Sequence, residues 1–141
     1  MTSNWRNSLP NYDQASYYAG ITAAFAEIVA AGVKHLALSP PYTEAEFNMM
    51  LEPTRQIAAA HGVLVQVEDD LLVTTLFPAD IAAGKYVVLL AQNEQVLATY
   101  QTLKEQAKSG NLSPNSTTEL AWAFGRLLSY SDERIAAMLA Q

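Results

Sequence analysis

Twice in its first half the chain passes from a helical pattern through a glycine straight into a β-like run. The two stretches are AFAEIVAAGVKHLALS at 24–39 and TRQIAAAHGVLVQV at 54–67. Each glycine sits where a helix ends, in a left-handed conformation that costs it little. Two strands separated by one helix imply a strand–helix–strand crossover, which is nearly always right-handed and sets the strands parallel. The flanking residues differ, so the two units are not a sequence repeat.

The remaining elements follow from periodicity and from turn residues. Tyr18, Ile21, Phe25 and Ile28 form one stripe of a helix over about 12–31. Thr43 with Glu46 marks the start of a second helix over 43–61, in which Pro53 predicts a kink or a division in two. After the acids Glu68–Asp69–Asp70, LLVTTLF at 71–77 alternates as a strand and suits a tight hairpin with the one before it. Residues 79–84 form a helical turn. The unbroken apolar run within KYVVLLA (85–91) predicts a central strand, antiparallel to 71–77 because the connection is too short for a parallel crossover. Asn93 caps a helix over 94–108 whose inner stripe is Val96, Tyr100, Leu103 and Ala107. GNLSPNS (110–116) is a loop, a helix runs from Thr117 or Thr118 to Ser129, and Ser131 caps a last one.

The expected fold is therefore α/β, with a small mixed, partly parallel four-stranded sheet over 33–91 and C-terminal helices over 93–141. Residues 1–11, rich in Asn and Ser, read as an arm, and 12–141 as one domain. A length of 141 residues, half of them hydrophobic, is enough for one core.

Composition excludes several kinds of function. The net charge is −6, and the eight Lys and Arg are scattered, which argues against a nucleic-acid partner. With no cysteine there is no disulfide, thiolate nucleophile or iron–sulfur site, and a reducing, cytoplasmic setting is expected. No apolar run is long enough to span a bilayer, and the first residues lack the order of a signal peptide. The six glycines fit no phosphate- or dinucleotide-binding spacing, and no serine has the context of a nucleophile elbow. No cofactor is predicted.

Two places remain where function could reside. Ligands of open α/β sheets bind beyond the carboxyl ends of parallel strands. There SPPY (39–42) follows the first strand and EDD (68–70) the second, gathering Ser39, Tyr42, Glu68, Asp69 and Asp70. Such a group suits a small polar ligand or a hard cation, with Asp69 and Asp70 as ligands or base and with Ser39 and Tyr42 donating hydrogen bonds. The same acids also suit a plain turn, where Asp carboxylates bond nearby amides. The second place is Trp122, which lies round from the inner face of its helix with Arg126 one turn on, positioned for a cation–π pair and an interface. His35 reads as a buried strand residue beside Val33 and Ala37, and His61 as a helix-terminal residue.

Two functions are consistent with this pattern. One is a non-enzymatic binding or interaction protein that self-associates as a dimer. The other is a small enzyme or polar-ligand or metal-binding domain using the strand-end cluster.

Overall fold

The structure, a computed structural model, describes residues 11–141, so the arm read over 1–11 lies outside them save for Asn11. Helix α1 spans Gln14–Ala30, strand β1 Leu36–Leu38, helix α2 Glu44–His61 and strand β2 Leu64–Glu68. Strand β3 spans Val87–Ala91, followed by helices α3 (Glu94–Lys108), α4 (Pro114–Leu127) and α5 (Asp132–Leu139). It is a small α/β domain with an antiparallel sheet of three strands in the order β1-β3-β2.

Both glycine devices are present. Gly32 (φ 80°) and Gly62 (φ 72°) end α1 and α2 in the left-handed region, and the next amides, Val33 and Val63, reach back to Ile28 and Ala58. The strands they introduce do run in the same direction. They are not paired with each other, however, because β3 lies between them, antiparallel to both. The expected parallel pairing is thus replaced by two antiparallel ladders.

The strand expected over 71–77 is absent, and the reason lies in competing partners. The Leu72 amide donates to the Tyr100 hydroxyl at 3.1 Å, and Thr74 and Phe77 exchange backbone bonds of 3.2 Å, closing a turn. Thr74 Oγ1 also accepts from the amides of Leu76 and Phe77. The alternation in LLVTTLF comes from burying Leu71, Leu72, Thr74 and Leu76 under the helices, with Val73 and Thr75 outside.

Helices cover both faces of the sheet. Val87, Leu89 and Ala91 pack with α3 and α4 around Tyr100, Leu103, Leu120 and Phe124. On the other face, Leu90 and Ala37 meet Ala26, Val29 and Ala58 of α1 and α2, and Val88 meets Met50 and Tyr42. A strand buried throughout on both faces must be apolar throughout, which accounts for the VVLLA run.

Three helical expectations change. The fully buried stripe of α1 is Thr22, Ala26 and Val29, whereas Ile28 is 37% exposed; small residues let α1 lie close to the sheet and α2. Helix α2 continues through Pro53, with Met50, Thr54 and Ala58 buried on both sides of it. Helix α4 begins at Pro114, capped by Ser113, because a proline at the first helical turn gives up no needed amide bond.

Candidate functional site

The ends of β1 and β2 reach one side of the sheet, as their common direction requires. The five residues expected to gather there lie in three places.

Glu68 points inward. Only 5% exposed, it accepts hydrogen bonds from the Tyr100 hydroxyl (2.9 Å), from Lys104 Nζ (2.8 and 2.9 Å) and from the Asp70 amide (2.9 Å). All its acceptor capacity is committed to holding the strand end on α3. Tyr100, enclosed here and facing the Glu68 carboxylate, has its phenol pushed far above the ordinary range by burial. Asp70 is exposed and pairs with Lys108, which holds its carboxyl below the usual value. Asp69 and Asp70 border a shallow cavity of about 170 Å³ shared with Leu72, Val73 and Pro78. Among the described residues, no group of three or more His, Asp or Glu side chains is placed to hold a metal ion. Glu68 closes β2, and the chain bends at Asp69 and Asp70 with the Asp70 amide held by the Glu68 carboxylate.

Tyr42 is fully buried in the opposite layer, its ring 5.1 Å from that of Tyr18, and its backbone exchanges bonds with Tyr86. Its hydroxyl has no hydrogen-bond partner among the described residues. The hydroxyls of Thr22 and Ser39 lie nearby and slightly favour ionisation, but burial dominates and pushes the phenol up. Thr22 instead donates to the Tyr18 carbonyl, and Ser39 Oγ donates to the Pro40 carbonyl and accepts from the Val88 amide.

Ser39 alone of the five borders a larger opening, an apolar cleft of about 420 Å³ along the outer edge of β1. Helix α1 lines it with Ile21 and Phe25, and the end of β1 with Leu38, Pro40 and Pro41. The 71–81 segment supplies Leu71, Phe77 and Ile81, and the turn after α4 supplies Leu128 and Tyr130. The residues following β1 and β2 therefore share a rim after all, through Pro40 and Leu71 instead of the acids.

Lys34 is the one charged residue among the described residues of this lining. Its ammonium donates to the Leu128 carbonyl and lies 5.1 Å from the centre of the Tyr130 ring. Burial pushes its pKa below the ordinary lysine value. Sequence reasoning passed over this residue, yet alternation in VKHLALS sets Lys34 on the same side as Leu36 and Leu38. A lysine in an apolar row was the signal available.

His35 is exposed, not buried; it precedes β1, and its Nδ1 lies 3.4 Å from Gln92 Oε1. His61 caps the end of α2 by contact with the Ile57 carbonyl at 2.9 Å. Arg126 does lie over Trp122, 5.1 Å from the ring, and also bonds Asp132 at 3.2 Å. Trp122 itself is half-buried, packed against the cluster of Leu76, Ala121 and Ile135, the last of which belongs to α5.

No helix among the described residues is long and apolar enough to cross a membrane. Comparison with protein-family models, curated proteins and solved structures gives no match to the chain.

Proposed function

We propose that the protein is a non-enzymatic binding protein that holds a small, largely apolar molecule in the cleft beside β1. The observation that carries this reading is the cleft itself: about 420 Å³ walled almost wholly by aliphatic, aromatic and proline side chains. Small-molecule sites are typically concave, apolar and supplied with only a few polar groups. Among the described residues neither histidine lines the cleft, and its hydroxyl groups, on Ser39 and Tyr130, have no carboxylate or imidazole beside them there. Binding without chemistry fits this lining.

Octan-1-ol is a suitable neutral probe. Titrated into the labelled protein, it is expected to shift the NMR signals of Leu38, Phe77, Ile81 and Leu128 together. The dissociation constant should be on the order of 1 mM or tighter for a ligand of this size. Ile81 is 40% exposed, so Ile81→Asp should leave the fold intact and place a charge in the cleft that removes the response. Shifts scattered over the whole surface, or none, would overturn the proposal.

A second reading, self-association as a dimer, is supported by the outer edge of β2, which no strand among the described residues pairs. Ser39 N bonds Val88 O at 2.9 Å, and Gln92 N bonds His35 O at 3.0 Å. By alternation β3 therefore serves β1 through Val88 and Leu90, and serves β2 through Val87, Leu89 and Ala91. The amides and carbonyls of Val65 and Val67 then turn outward, and Val67 is 38% exposed. Neither proline nor lysine guards this edge. Two copies could join β2 to β2 about a two-fold axis through Gln66. Light scattering of the full chain should give twice the chain mass, and Val67→Pro, which removes an outward amide, should halve it. A single-chain mass at high concentration would remove this reading.

A further inference from the structure

We infer that the cleft selects an apolar molecule bearing a carboxylate, and that Lys34 is the residue that recognises it. This rests on the cleft reading above and adds the chemical class of the ligand. Lys34 makes no ion pair among the described residues. The ten residues outside them contain no Asp or Glu that could supply one. Arg55, Lys85 and Arg134 also lack an ion pair among the described residues, but they are exposed, whereas Lys34 is half-buried.

Placing that ammonium against an apolar wall has a cost. Burial removes water from it, and nothing negative compensates; the depression of its pKa has burial as its cause. The Leu128 carbonyl accepts one N–H, and the Tyr130 ring offers its face. An ammonium has three donors, so at least one remains for a ligand. A carboxylate arriving with its alkyl or aryl body along Phe25, Phe77 and Ile81 would meet that donor and restore the missing charge. A neutral ligand would fill the same space and leave the cation unmatched.

The experiment compares octanoate with octan-1-ol on the full chain by the same NMR titration. Octanoate is expected to bind about tenfold more tightly, the scale of a charge-assisted bond. The advantage should shrink at high salt and vanish in Lys34→Met, whereas Lys34→Arg should keep most of it. Equal binding of the two ligands by the wild-type chain would overturn the inference while leaving the cleft reading in place. So would a Lys34→Met variant that weakens both ligands alike, since Lys34 would then only shape the wall. Loss of the octan-1-ol response itself strikes the cleft reading instead.

Discussion

Glu68→Ala is expected to lower stability by about 3 kcal/mol, because it leaves the Lys104 ammonium half-enclosed and the Tyr100 hydroxyl without its acceptor. The side chains of the pair are only 6% and 16% exposed, so solvent screens them little. In a domain of this size the loss corresponds to a fall in melting temperature of roughly 10 °C. The change also frees the Asp70 amide, loosening the turn that leads into the 71–81 segment. Lys104→Met should be similarly harmful, since it strands the carboxylate. The double variant Glu68→Leu with Lys104→Met should recover much of the loss, because replacing both partners of a buried pair removes the desolvation cost along with the attraction. Thermal or urea unfolding of the three variants checks this. A Glu68→Ala chain within about 0.5 kcal/mol of wild type would show that the network does not hold β2 to α3.

Phe124→Ala is expected to cost about 4 kcal/mol, the usual scale for emptying a buried aromatic site. Phe124 is fully buried, with Phe77 edge-on to it at 5.5 Å and Tyr100 at 6.1 Å. The loss has a functional side. Phe77 is a wall of the cleft, and Phe124 is the surface that fixes its ring. The variant should therefore bind octan-1-ol more weakly than its remaining folded fraction explains. Titration well below the melting temperature separates the two effects. Unfolding within about 1 kcal/mol of wild type would mean that neighbouring side chains close the hole unaided.

What the sequence disclosed and what it hid divide along a physical line. The helix ends were legible because a cap is local: Thr43 with Glu46, Asn93, Ser131, Gly32 and Gly62 all act within a few residues. The central, doubly buried strand was legible for a related reason, since Val87–Ala91 carries no polar residue at all. Pairing was not legible, because it depends on a partner distant in the chain. The 71–77 run has the alternation of a strand, but Tyr100 claims the Leu72 amide from 28 residues away. The candidate site divides along the same line. That residues after β1 and β2 share a rim followed from strand direction alone. Which side chains face that rim depended on Lys104 and Tyr100 drawing Glu68 inward, and neither is marked as its partner by anything nearby in the sequence.

The position of β3 bears on how the protein forms during synthesis. Strands β1 and β2 leave the ribosome first, yet neither can bond the other; each waits for residues 87–91 to come between them. Until then the nascent chain can bring α1 against α2, a contact between neighbours in sequence, but it has no template for a ladder. One late-arriving pentapeptide therefore supplies the partner for both halves of the sheet.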